Sequence, residues 1–212
     1  MHTINALVNA LHEIGVHNGD AVMVHASLRA IGRVEHGAAG VVIALDRAVG
    51  PEGTLLMTLG ADGVAGWSSK PPDNATIAQL TLSDCFDPEH SPAARDIGFL
   101  AEEFRRTPGT VSSNHPEGRF GARGRLAHAL LENPPWHDYY GSGSPLERFV
   151  HAGGTVLRLG ADTNTVTLLH YAEFLTRIEP KRRVTRYAAV RGATGPEIVR
   201  VDTIDDSDGI VE

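Results

Sequence analysis

The sequence predicts an α/β fold: a mostly parallel central sheet flanked by helices, with a loop-rich insertion. Three observations lead there. The continuous apolar run at 21–25 fits a strand buried on both faces, and 54–58 and 155–159 read as further buried strands. Helical patterns stand between them, as in a sheet wound through crossover helices. The stretch from Leu59 to His90 breaks that rhythm with Gly, Pro, Ser and Asp, and loops of such length are usually functional or disordered.

In chain order, Thr3 to Gly15 reads as a helix capped by Thr3, with Ile4, Leu7, Val8, Leu11 and Ile14 as its apolar stripe. Asn18-Gly-Asp20 turns the chain into the first strand. The loop from Ala26 to Val34 follows, where backbone amides just past a buried strand can hold an anion or an amide. It lacks the Gly-Lys-Ser/Thr ending of a Walker loop. Gly37 to Val49 is a helix, stopped by Gly50-Pro-Glu-Gly53 before the strand Thr54–Thr58. Ser91-Pro92 opens a helix to about Arg106, with cap and first-turn proline in their favoured places and Ile97, Leu100, Ala101 and Phe104 inward. Thr107 to Thr110 is a turn. Arg119 to Leu131 ends in a short helix, and Asn133 to Tyr140 is an aromatic loop. Ser144-Pro-Leu-Glu147 is a capping box worth about 1 kcal/mol to the helix it starts.

Thr155 to Leu159 is a glycine-bounded strand, and Asn164 or Thr165 caps the next helix, which runs to about Ile178. Lys181-Arg-Arg183 reads as a solvated basic edge. Val184–Val190 and Ile198–Thr203 form a hairpin around Gly192 to Pro196.

At 212 residues, with 42% hydrophobic and 21% charged residues, the chain suits one soluble domain with a real core. A net charge of −7 argues against a nucleic-acid binder, which carries a basic face. The lone Cys85 excludes an intrachain disulfide and any multi-cysteine metal site, and makes a reducing cytoplasm the default. The first residues lack a signal peptide's basic start and long apolar core, and nothing approaches ~18 uninterrupted apolar residues, so no membrane partner is expected. Eleven histidines raise a metal-dependent hydrolase, but no His-Glu-x-x-His or tight His/Asp set appears, and no metal is expected.

The chemistry-bearing stretch is the strand, turn and helix from Gly153 to Glu173. His170 falls one to two turns into the helix with Glu173 on the same face at i+3. An imidazole near a strand's carboxyl end, beside a carboxylate, is what a general base needs. Helical histidines also serve structural roles, and spacing leaves both readings open.

Four co-linear segments carry a resemblance. They are Val24-His-Ala-Ser-Leu-Arg-Ala-Ile-Gly32, Arg106-Thr-Pro-Gly-Thr-Val-Ser-Ser-Asn-His-Pro116, Gly141-Ser-Gly-Ser-Pro-Leu146 and Gly160-Ala-Asp-Thr-Asn-Thr-Val-Thr-Leu-Leu-His-Tyr-Ala-Glu173. In that order they resemble the aminoglycoside 3-N-acetyltransferases, the antibiotic N-acetyltransferase family, over almost the whole chain. The commoner acetyltransferase fold, with its Arg/Gln-x-x-Gly-x-Gly/Ala loop, is not matched: Arg119-Phe-Gly-Ala-Arg-Gly124 has the wrong spacing.

The resemblance implies acetyl transfer from acetyl-CoA to the 3-amino group of a 2-deoxystreptamine antibiotic in a ternary complex, giving antibiotic resistance, by a cytoplasmic monomer or homodimer. His170 becomes the base, supported by an acidic residue in the 202–209 stretch; Asp205 aligns best and Asp202 is the fallback. Ser27, Leu28, Arg29 and Val34 become cofactor contacts, with amides near Ser27–Leu28 or Ser113 as oxyanion donors. His25 faces the site by resemblance or is a buried structural histidine. Ser113 and His115 are implied as cofactor and cleft residues, although Ser112 stands where the family usually carries an arginine. The 59–90 insertion is implied to lie over the cleft. There Asp62, Asp73, Asp84, Asp87 and Glu89 either pair with ammonium groups or form a solvated acidic loop, and Trp67 either stacks on a sugar or anchors the loop. Family members usually run some tens of residues past Glu212, so a shorter C-terminus is implied. The alternative reading is a family member that binds CoA or antibiotic without turnover.

Overall fold

A computed structural model describes residues 1–176 and 182–205. The chain opens with α1 (Ile4–Glu13), where Thr3 caps as expected, its hydroxyl accepting the Ala6 N–H. Ile4 and Leu11 are buried, but Ile14, placed in the stripe by its spacing, lies past the helix and is exposed. Then come β1 (Ala21–Ala26), the single turn α2 (Leu28–Ile31), α3 (Gly37–Val49) and β2 (Thr54–Thr58).

β1 pairs in parallel with β2 on one side and with β6 (Thr155–Leu159) on the other. Its side chains alternate between two cores. Val22 and Val24 pack with Leu45, Leu55, Phe104 and Leu157 on one face, and Met23 packs with Leu56, Tyr140, Leu146 and Phe149 on the other. The first core is closed by α1, α3 and α5 (Phe99–Arg106), the second by α6 (Ala127–Leu131), α7 (Pro145–His151) and α8 (Leu168–Leu175).

The parallel triplet is extended at one edge by antiparallel strands. β5 (Phe120–Gly124) runs against β2, and β4 (Val111–Ser112) against β5, so the sheet is mixed in the order β4-β5-β2-β1-β6. β5 had no strand signal: Phe-Gly-Ala-Arg-Gly lacks β-branched residues, and Gly121 and Gly124 are there because the sheet crowds them. A Cβ at Gly124 would stand 2.2 Å from the Gly53 carbonyl oxygen.

The expected hairpin forms as β7 (Arg183–Arg191) and β8 (Pro196–Ile204). From the insertion, β3 (Gly66–Ser68) adds to β7, giving a separate antiparallel sheet β3-β7-β8. The insertion is therefore not one long loop. It also holds α4 (Asn74–Gln79), capped by Asp73, and a 3-10 turn at Leu82–Asp84 closed by Thr81 and Asp84. Both acids act as helix caps, and the Thr76 N–H holds the Asp73 carboxyl below its usual range. Asp62 pairs with Arg95, and Asp87 with His90 and Arg191.

The helix expected from Ser91 begins only at Phe99. Arg119 supplies the reason. Its fully buried guanidinium donates to the carbonyls of Ser91 (2.7 Å), Pro88 (2.8 Å) and Gly60 (3.3 Å), and lies 5.4 Å above the Phe86 ring. The 88–92 backbone turns its carbonyls inward to the cation instead of along a helix axis, and Gly98, at φ 103°, then breaks into α5. The helix expected to reach Ile178 ends at Leu175; Ile178, the cluster residue Lys181 and the last residues of the acidic stretch lie outside the described residues. Among the described residues no helix is long and apolar enough to cross a membrane.

Replacing Arg119 with Met removes the donors but keeps much of the volume, stranding one buried and two part-buried carbonyls. The expected loss is about 3 kcal/mol of unfolding free energy in a urea titration; a loss below about 1 kcal/mol would show that water solvates them as well.

Candidate active site

β1, β2 and β6 run parallel, so their carboxyl ends open on one side of the sheet, the usual location for a ligand in an α/β fold. A cavity of about 250 Å³ lies there, lined among others by His25, Thr58, Asp96, Ala161, Thr165 and Thr167. Thr58 at the end of β2 and Thr167 just before α8 hydrogen-bond through their hydroxyls at 3.1 Å, fixing where α8 begins. Neither Asn164 nor Thr165 caps that helix; they sit in a 3-10 turn at Thr163–Thr165, and Thr167 is the N-cap residue without a side-chain cap bond.

His170 is one turn beyond Thr167, and its backbone N–H donates to the Thr167 carbonyl. Its side chain is 24% exposed, and Nδ1 is 3.4 Å from Oε2 of Glu173, a buried carboxylate one turn further on. The imidazole lies flat on the Tyr140 ring, with centroids 5.1 Å apart and planes 9° from parallel. Nε2 has no hydrogen-bond partner among the described residues. A proton on Nδ1 facing Glu173 leaves the Nε2 lone pair available, the state a base requires.

Neither carboxylate implied by the resemblance reaches this ring. Asp202 accepts from Thr185 Oγ1 (2.6 Å) and Arg200 (3.0 Å), and Asp205 pairs with Arg182 and Arg186. Both stand at the β7–β8 hairpin, where cross-strand neighbours are arginines and threonine. The acid that meets His170 is Glu173, the neighbour that helical spacing alone had put on its face.

The other expected contacts divide. Arg29 is exposed and Leu28 partly buried against the core. Ser27 is the N-cap of α2: its hydroxyl accepts the Ala30 N–H, and its own N–H donates to the Leu159 carbonyl. Val34 is a core residue, paired in a bridge with His2. Ser113 is buried, its N–H donating to the Phe120 carbonyl and its hydroxyl accepting the Phe120 N–H, which closes β4 on β5. The amides of Ser27 and Ser113 are thus both taken, which leaves that of Leu28 among the expected oxyanion donors.

His115 is corrected most. It is fully buried; Nε2 faces the Trp136 carbonyl at 3.0 Å, while Nδ1 accepts the N–H groups of Gly118 (2.8 Å) and Glu117 (3.2 Å). Both ring nitrogens are used, and burial pushes its pKa down to about 4. This is a neutral structural histidine. His25 does line the cavity, and burial, reinforced by Arg158, lowers its pKa to about 4 as well, so it is neutral at pH 7.

Sequence reasoning missed Tyr140 as the partner of His170, although it marked the aromatic loop around it. It also gave Glu147 a purely local role. Glu147 accepts from Gly143 N–H at 2.7 Å and from the Tyr171 hydroxyl at 3.0 Å, joining α7 to α8. Among the described residues no group of three or more His, Cys, Asp or Glu is placed to hold a metal ion.

The family model described as aminoglycoside 3-N-acetyltransferase matches residues 23–212. Aminoglycoside N(3)-acetyltransferase III of Salmonella sp is 41% identical over 219 residues, covering 100% of this chain and 74% of that protein. Among solved structures, AAC-IIIb with CoASH is similar at a TM-score of 0.89 and 36% identity, over 99% of this chain and 78% of that one. AAC-VIa bound to sisomicin gives 0.90 and 36%, with the same coverage.

His115 and His25 have folded-state pKa values of about 4, below the ordinary 6.5. Below about pH 6.5 the unfolded chain therefore binds more protons, and stability falls as pH falls towards 4; for His115 the loss is roughly 3 kcal/mol. Urea midpoints measured from pH 7 to 4.5 should show this slope, and His115→Asn should flatten it. Equal slopes in the two proteins would show that His115 is not held neutral.

Proposed function

Because the chain belongs to the aminoglycoside 3-N-acetyltransferase family, we propose that it moves the acetyl group of acetyl-CoA to the 3-amino group of a 2-deoxystreptamine antibiotic, with His170 as general base and Glu173 as its supporting carboxylate. The observation that carries the residue assignment is the His170–Glu173 pair, which begins one helical turn beyond Thr167, a residue that lines the cavity at the open ends of β1 and β2. The two similar proteins solved with CoASH and with sisomicin support the two substrates.

An amine is protonated at neutral pH and attacks a thioester only after losing its proton. His170 Nε2 takes that proton, and the buried Glu173 carboxylate stabilises the imidazolium through Nδ1. The freed amine attacks the thioester carbonyl, the C–N bond forms, the nitrogen passes its second proton to the departing sulfur, and the C–S bond breaks to release CoA as the thiol. The first proton, held on His170, is released to water. Holding both reactants in one cleft removes much of the entropic barrier. Direct transfer is favoured over an acyl-enzyme: Cys85, the only thiol, is buried in the insertion with its pKa raised by desolvation.

The same proposal takes residues 1–212 as one domain with 59–90 as the insertion beside the cleft. The Asp62–Arg95 ion pair supports this by tying that insertion to the turn bearing Asp96 and Ile97, which line the cavity. Arg29, exposed at the mouth of β1, is the retained candidate for a cofactor contact. A cytoplasmic monomer or homodimer, without nucleic acid or membrane, fits an enzyme that draws on acetyl-CoA.

Thiol release from acetyl-CoA in the presence of gentamicin, tobramycin or neomycin tests the activity; CoA binding without release on any of them overturns it. In the same assay His170→Ala should lose at least about 10³-fold in kcat while still binding CoA, and Glu173→Gln about 10- to 100-fold. Turnover of His170→Ala close to that of the native enzyme would move the base elsewhere.

A further inference from the structure

The hydrogen bond between His170 and Glu173 is long, at 3.4 Å against an ordinary 2.7–3.2 Å. Rotation about the bond joining a histidine ring to its stem is soft and roughly two-fold, so a bond of that length does not by itself hold the ring plane. Something else must, and the only ring contact at His170 among the described residues is the face of Tyr140.

Tyr140 is itself held from behind. It is buried, meets Phe120 edge-on at 6.0 Å and Tyr139 edge-on at 4.6 Å, and Tyr139 in turn packs on His115 at 4.7 Å. His115 is pinned through Nε2 to the Trp136 carbonyl of the same aromatic loop. At the other end the loop is pressed onto α8: a Cβ at Gly141 would stand 2.8 Å from the Phe174 ring. A continuous stack of rings thus runs from a locked histidine in the interior to the ring proposed as the base.

Resting on the reading of His170 as the base, we infer that Tyr140 is its positioning residue, a plate that sets the imidazole plane so that Nδ1 faces Glu173 and Nε2 faces away from it. The contact that carries this role is the ring face. The flat stack also favours the ring once it is charged, since a cation over an aromatic face is attracted by it.

The test compares Tyr140→Phe, which keeps the face, with Tyr140→Leu, which removes it. In the thiol-release assay Tyr140→Leu should lose about tenfold or more in kcat with the KM for acetyl-CoA within twofold of native, while Tyr140→Phe stays within about threefold on both. A Leu variant with native kcat, or a Phe variant as slow as Leu, overturns the inference. A measurement independent of turnover covers a Leu variant that fails to fold: long-range ¹⁵N–¹H spectra of the native protein should show His170 as the Nδ1–H tautomer alone. A mixture of tautomers would overturn the inference. Full activity in His170→Ala would instead defeat the base assignment, and the tautomer spectrum would still report whether the ring is held.

Discussion

A guanidinium held by main-chain carbonyls sets much of this architecture. Arg119 is wholly buried, no carboxylate lies within ion-pair distance of it among the described residues, and its charge is solvated by main-chain carbonyls drawn from two segments far apart in sequence. Burial lowers its pKa only to about 10, so it stays charged at neutral pH. The ligated carbonyls belong to the exit of β2 and to the 88–92 turn, and the Arg119 carbonyl in turn accepts from Leu59 and Gly60. One residue therefore ties the added antiparallel strand to the parallel triplet and to the insertion. It also delays the start of α5, leaving Asp96 and Ile97 in a turn at the cleft.

The candidate site is a short-range construction. β6 delivers the chain to the open edge of the sheet, the Thr58–Thr167 bond fixes the first residue of α8, and one helical turn separates Thr167, His170 and Glu173 in succession. Only the Tyr140 plate and the Glu147–Tyr171 link come from elsewhere, and both arrive from the segment that leads into α7.

Three histidines show how burial, not residue type, assigns a role. His115 has both nitrogens bonded to main chain and no exposure, so it is neutral and structural. His25 lines the cavity but is kept neutral by its surroundings. His170 is partly open, with one nitrogen towards a carboxylate and the other without a partner among the described residues.

The sequence by itself determined the elements whose signals are local. β2, β6 and α3 lie where apolar runs and glycines put them, Thr3 and Ser144 cap their helices, and the i+3 spacing of His170 and Glu173 already named the pair. Four co-linear motifs were enough to identify the family. Only the tertiary structure decided what depends on partners distant in the chain: β5 as a strand, the truncation of α5, the burial of Val34, Ser113 and His115, and the removal of Asp202 and Asp205 to the hairpin arginines. The reason is physical. Periodicity and capping act over a few residues, whereas the desolvation and the hydrogen-bond partners that fix a buried polar group's role come from whichever segments the fold brings against it.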